Sequence, residues 1–262
     1  MMKKNISLLL ILICASAIAI FWSCNKKLDL VAPTTPAAGL AYIKIAHFSP
    51  SLRQIFNKSD SFNLYVNGTK INGSFVTFGS IFPSVTDLYA AVPAGGVSVR
   101  LTTNGIVNPD SLTIFTVNKS LNANSYYSLI ITDSLLSLNP AEQIFVQDNF
   151  IIADTLHYTM RFVHAIVNDT AGTAVDIYSQ RNATNIFKGI TPATTTGFVS
   201  FNYTLVADTL IIRRAGTLFE LARLSTVTSP LARQRAYTLV YKGQAGTTSG
   251  TKARSLVLFT NQ

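Results

Sequence analysis

Apolar and polar residues alternate with a two-residue period over much of the chain. Phe62, Leu64 and Val66 alternate with Asn63, Tyr65 and Asn67, and Phe198, Ser200, Asn202 and Thr204 alternate with Val199, Phe201, Tyr203 and Leu205. That period puts successive side chains on opposite faces of a strand. Asn67-Gly68, directly after the first run, predicts a tight hairpin, because both residue types accept the positive φ such a turn needs. Asn72-Gly73 predicts a second turn, and Pro93-Ala94-Gly95-Gly96 a third, between Tyr89–Val92 and Val97–Leu101. No long stretch carries the 3.6-residue period of a helix, and Asn139-Pro140-Ala141-Glu142 makes at most a turn.

The strand pattern occurs twice. Tyr42-Ile43-Lys44-Ile45-Ala46-His47 aligns with Thr159-Met160-Arg161-Phe162-Val163-His164, with a basic residue three before each histidine. Phe62-Asn63-Leu64-Tyr65 matches Val175-Asp176-Ile177-Tyr178, and the same spacing separates Tyr65 from Arg100 and Tyr178 from Arg213. Tyr127-Ser128-Leu129-Ile130 corresponds to Tyr237-Thr238-Leu239-Val240, and each copy closes on an apolar segment, Ile144–Gln147 and Val257–Thr260. Strands recurring about every ten residues predict an all-β chain of two tandem immunoglobulin-like antiparallel β-sandwich domains, residues 41–150 and 151–262.

The one long apolar run lies at the start. Lys3 and Lys4 precede Ile6 to Phe21, all apolar or small, and Trp22-Ser23-Cys24 ends the run with a small residue before a cysteine. This is the order of an exported lipoprotein's signal, with residues 1–23 removed and Cys24 acylated, by palmitate among other chains. A retained anchor and ordinary cleavage are the alternatives; a spanning helix wants about 20 apolar residues, and Ile6 to Trp22 supplies 17. Cys14 would leave with the signal, so the mature chain would hold a single cysteine, which excludes a disulfide framework and a cysteine metal site. Residues 24–40, with Pro33, Thr34, Thr35, Pro36, Ala37 and Ala38, read as a flexible tether. The partner this implies is the membrane, reached through the lipid anchor, with the folded part in water beside it.

Charge adds an asymmetry. The full chain has a net charge of +9, but 41–150 holds six basic and six acidic residues, whereas 151–262 holds eleven and five. The basic residues of the second half are dispersed at strand-like positions, and export argues against nucleic acid as a partner.

The order His47-Phe48-Ser49-Pro50, then Leu64-Tyr65-Val66-Asn67-Gly68, then Tyr89 to Gly95 ending in Val-Pro-Ala-Gly, then the Tyr126-Tyr127 strand, resembles the bacterial family of domains of unknown function numbered 4397. In the second copy Ala165-Ile166 replaces Ser-Pro and no Val-Pro-Ala-Gly occurs, so the resemblance there rests on the repeat. It implies exported β-sandwich domains, often tandem and in lipoproteins of the Bacteroidetes type, and transfers no catalytic residues.

Chemistry is sparse. His47, His157 and His164 are the only histidines, without metal-ligand spacing, and the equivalent pair His47 and His164 reads as strand-edge or turn-capping. No Gly-x-Ser-x-Gly elbow occurs. The only glutamates are Glu142 and Glu220, and Asp60, Asp110, Asp133, Asp154, Asp169 and Asp208 sit at turn-like positions. No catalytic, metal or cofactor residue is therefore expected. The candidate ligand-surface aromatics are Tyr126, Tyr127 and Tyr237. These features point to a non-catalytic, membrane-anchored envelope lipoprotein, a structural or interaction module in adhesion or glycan binding, with a glycan or an envelope protein as the expected partner. The expected place is the outer membrane, with its face left open by the basic Asn25-Lys26-Lys27. The alternative is an envelope hydrolase acting on polysaccharide or peptide.

Overall fold

The structure, a computed structural model, describes residues 39–52, 60–84, 89–103, 112–132, 143–150, 154–167 and 174–262. Cys24, residues 24–38 of the expected tether, the Asn139–Glu142 turn and Asp110, Asp133 and Asp169 lie outside the described residues, and Leu40, expected at the tether's end, opens the first strand instead. The chain is all-β. The first copy contributes β1 (Leu40–His47), β2 (Ser61–Val66), β3 (Thr69–Lys70), β4 (Val76–Thr77), β5 (Ile81–Phe82), β6 (Ala90–Pro93), β7 (Gly95–Thr103), β8 (Thr113–Leu121), β9 (Tyr126–Ile131) and β10 (Ile144–Gln147). The second contributes β11 (His157–His164), β12 (Val175–Ser179), β13 (Thr184–Ile190), β14 (Thr194–Thr195), β15 (Val199–Asn202), β16 (Thr209–Arg214), β17 (Glu220–Ser225), β18 (Ala236–Lys242) and β19 (Ser255–Thr260).

Each copy folds into two sheets. In the first, β10, β9 and β1 form one sheet, with β5 and β6 both paired to β1, and β2, β7 and β8 form the other, with β3 and β4 on β2. In the second, β11, β18 and β19 with β14 and β15 face the sheet β13-β12-β16-β17. The sheets are antiparallel apart from one pair in each copy: β1 runs parallel to β9, and β11 parallel to β18. A long excursion through the opposite sheet separates the two partners, which is the connection a parallel pair requires. Asn67 and Gly68, with φ of 49° and 80°, form the two-residue turn between β2 and β3. The Pro93–Gly95 turn, with φ of 95° at Gly95, is a corner where the chain leaves one sheet for the other.

One repeat landmark slides. Tyr65 lies opposite Arg100, but Tyr178 lies opposite Ile211 and Arg213 opposite Asp176. Both guanidiniums still cover the tyrosine, Arg100 at 4.5 Å and Arg213 at 3.6 Å from the ring centroid.

The central strands are buried on both faces. Ile43 and Ile45 point into the first sandwich with Leu64, Leu101 and Leu129, while Met160 and Phe162 point into the second with Ile177, Ile212 and Leu239. The opposite faces of these same sheets share a third core, formed by Ala46, Phe48, Ile130 and Ile144 of the first copy and Val163, Ala165, Val240 and Phe259 of the second. The two sandwiches thus stack through their central sheets, and 38–262 is one compact unit.

A polar cluster sits in that shared layer. Arg161 pairs with Asp148 at 2.6 Å, and its other nitrogens donate to Thr238 and Ser128, each at 2.9 Å. Asp148 also accepts from Ser128 and Tyr89, each at 2.6 Å, and burial beside that carboxylate pushes the Tyr89 phenol far above its ordinary pKa. The equivalent of Arg161, Lys44, donates instead to the carbonyl of Thr260 at 2.6 Å. The repeat extends to the rings: Lys44 lies 4.5 Å from the centroid of Tyr89, and Arg161 4.8 Å from that of Phe198.

Candidate functional site

Two adjoining clefts, of about 300 Å³ and about 600 Å³, open on the second sandwich and share Tyr158, Arg181, Thr204 and Asp208. Tyr158 of β11 and Phe201 of β15 face each other in register and stack at 5.6 Å, forming the aromatic floor. Burial raises the Tyr158 phenol to about 12, so it stays a neutral hydroxyl. Thr184, Ser200 and Asn202 supply exposed polar groups on the larger cleft, and Leu205, Val206 and Val227 form an apolar rim on the smaller.

Asp208 organises this end of the sheet. Its Oδ2 accepts the hydroxyl of Ser179, and its Oδ1 accepts the backbone N–H groups of Arg181 at 2.8 Å and Thr209 at 2.7 Å. The turn so anchored presents Arg181, whose Nη1 donates to Thr204 Oγ1 and the Val206 carbonyl, each at 2.8 Å, while Nε donates to Asn182 Oδ1 at 3.3 Å. At the mouth, His157 Nδ1–H donates to Asp154 at 2.6 Å. That bond raises the His157 pKa and lowers that of Asp154.

The residues that build this cleft differ at the equivalent places of the first copy. Strand register makes Tyr158 the counterpart of Ala41, and Phe201 that of Val92. The turn after β2 has two residues where that after β12 has four, and a single residue, Ala94, links β6 to β7 where six, Tyr203 to Asp208, link β15 to β16. Two larger side chains, a wider turn and a longer connection build the cleft on a scaffold that the repeat otherwise preserves.

Of the sequence-derived aromatics, Tyr126 is exposed at 38%, while Tyr127 and Tyr237 are buried at 5% each. The last two are corrected from ligand surface to structure. Tyr127 accepts the backbone N–H of Asn122 at 2.9 Å and Tyr237 that of Ala232 at 2.8 Å, five residues upstream in each case. Their rings fill the sandwich cores, the arrangement of a tyrosine corner. Tyr126 stacks on Tyr42 at 4.9 Å and touches Tyr89 and Phe150, which leaves only part of its ring open. The cleft and Tyr126 are separate features. His47 and His164 are buried rather than at a sheet edge, His47 packing on Phe62 at 4.6 Å and His164 on Tyr241 at 5.2 Å, while the turn-capping role holds for His47, whose Nδ1 accepts the backbone N–H of Ser49 at 3.4 Å. Among the described residues no group of three His, Cys, Asp or Glu side chains could hold a metal.

Sequence reading missed Tyr158, Arg181, Phe201 and Asp208. The signal that could have found them is the difference between the copies, in residue size and in the length of the connection before β16.

No known family model matches the chain, and no curated protein does. Among solved structures it is similar to a protein of the DUF1812 group from Bacteroides thetaiotaomicron whose polysaccharide binding is itself a proposal. The identity is 9%, the match covers 84% of this chain and 96% of that one, and the TM-score is 0.24, which establishes neither a shared ligand nor a shared fold in detail.

Proposed function

We propose that this protein is a non-catalytic glycan-binding module of the bacterial cell envelope, held at the membrane by acylated Cys24 and built from two domains of the family numbered 4397. The observation that carries the reading is the cleft of the second sandwich, with aromatic rings in its floor and amide, hydroxyl and guanidinium groups on its walls. That combination suits a sugar, whose ring carbons pack on aromatic faces while its hydroxyls take up hydrogen bonds. The hydrolase reading has less support. A triad would put a hydroxyl on the base, whereas His157 bonds Asp154 and Asn202, and Asp208 is taken up by three donors that hold the backbone.

Affinity electrophoresis of the full chain through gels containing envelope and host polysaccharides tests the reading. Wild type is retarded by at least one polysaccharide, and Ser200→Trp, which fills the larger cleft from an exposed position, migrates freely. Equal retardation of the two proteins, or shortening of the polysaccharide during the run, contradicts it.

A further inference from the structure

Resting on the glycan reading of the cleft, we propose that the sugar it takes is carboxylated, a uronic-acid-type residue whose carboxylate is met by Arg181. Arg181 is fixed in place by four hydrogen bonds, one from its backbone N–H to Asp208 and three from Nε and Nη1. Among the described residues its Nη2 meets no acceptor, so one edge of a held guanidinium is left with open donors at the junction of the two clefts. Tyr203, on the wall of the smaller cleft, carries a second guanidinium on its ring, that of Arg233 at 5.2 Å from the centroid, which adds positive charge beside the cleft without lining it. An arginine fork binds a carboxylate through paired N–H donors, and holding it in advance reduces the ordering that binding requires.

The carboxylates around the cleft do not compete for these donors. Asp208 points its oxygens at Ser179 and at the backbone of Arg181 and Thr209. Asp154 is held by His157, whose raised pKa adds positive charge at the mouth as the pH falls toward the acid side of neutral. The second half of the chain, which holds the cleft, carries six more positive charges than negative ones, while the first half is balanced. A field of that sign draws an acidic polymer toward the cleft and weakens with added salt.

The test uses the full chain in detergent and a panel of uronic-acid oligosaccharides, from galacturonate, glucuronate and mannuronate polymers. Each is offered in its native form and with the carboxyls reduced to alcohols. Titration calorimetry is expected to show binding of at least one native oligosaccharide, weakened tenfold or more by carboxyl reduction and by Arg181→Ala. Arg223→Ala, which removes a residue paired with Glu220 outside the cleft, is expected to bind as wild type does. Equal binding of the native and reduced forms overturns the carboxylate assignment while sparing the glycan reading. Binding of neither form across the panel, with retardation by a neutral polysaccharide, overturns the assignment alone. Absence of both binding and retardation overturns the two together. Near-ultraviolet circular dichroism of Arg181→Ala, together with Arg181→Lys retaining part of the affinity, separates lost recognition from lost folding.

Discussion

Arg161 of the second sandwich and Asp148 of the first form an ion pair at 2.6 Å with both side chains shut off from solvent, at 1% and 0% exposure. Each half of the pair is useful only where the other copy is docked. A buried pair often contributes little net stability relative to an apolar pair, but stripping away one member leaves an uncompensated charge. The pair therefore ties the docking of the two sandwiches to the identity of two side chains. Arg161→Met is expected to lower unfolding stability by about 3–5 kcal/mol, read by urea denaturation. The double replacement Arg161→Met with Asp148→Leu is expected to recover most of that loss, and a double variant as unstable as the single one would show that the charges are not the cause.

Lys44 occupies the equivalent place with a different partner. It donates to the backbone carbonyl of Thr260 and lies over Tyr89, because the position equivalent to Asp148 is Asn261, an amide that accepts from Thr238 and donates to Tyr89. Lys44→Met is expected to cost about 1.5–3 kcal/mol, the worth of a hydrogen bond made by a charged group. In the same urea assay its loss should be smaller than that of Arg161→Met.

The two tyrosine corners make a matched pair of tests. Removing the hydroxyl in Tyr127→Phe leaves the Asn122 N–H without its acceptor, and Tyr237→Phe does the same at Ala232. Each is expected to cost about 1–3 kcal/mol, measured by thermal or urea unfolding. Glycan retardation is expected to be unchanged in both, since neither ring lines the cleft.

His47 gives the fold an acid dependence. Burial lowers its pKa from 6.5 to about 3, with the charge on Lys252 acting in the same direction and Asp60 opposing. Between those values the unfolded chain holds a proton that the folded chain does not. Stability from this group is complete above about pH 6.5 and is lost as the pH falls toward 3, at up to about 1.4 kcal/mol per pH unit. Unfolding curves from pH 4 to pH 7 check it: the slope should flatten in His47→Asn, whatever that variant's absolute stability.

Much of the scaffold was legible in the residues. The alternation around Phe62 to Asn67 and the Asn67-Gly68 turn lead directly to β2 and its hairpin, and the matched histidines mark the ends of equivalent strands β1 and β11. The basic residue three before each histidine was visible too, but alternation says only that Lys44 and Arg161 point away from Ile43 and Phe162. Solvent normally lies on that side of a sheet; here the other sandwich does, and this is also why β1, β9, β11 and β18 are buried on both faces. Tyr127 and Tyr237 were misread for a related reason, since the two-residue period separates faces without saying which one is the core. The cleft escaped because it comes from turn length and from Asp208 bonding across the sheet, which no local pattern encodes.

The anchor is tested by growth with a clickable fatty acid. Wild type is expected to incorporate the label and Cys24→Ala to lose it; a label kept by the variant, or never acquired by wild type, contradicts acylation at Cys24.

The most direct test of the account is hydrogen exchange on the full chain, read by mass spectrometry with and without a polysaccharide that retards it. Protection is expected in residues 179–184 and 199–209, around the cleft of the second sandwich, with the equivalent segments of the first unchanged. Protection confined to the first sandwich or to the surface around Tyr126, or no protection under saturating ligand, would contradict the assignment of the cleft as the binding site.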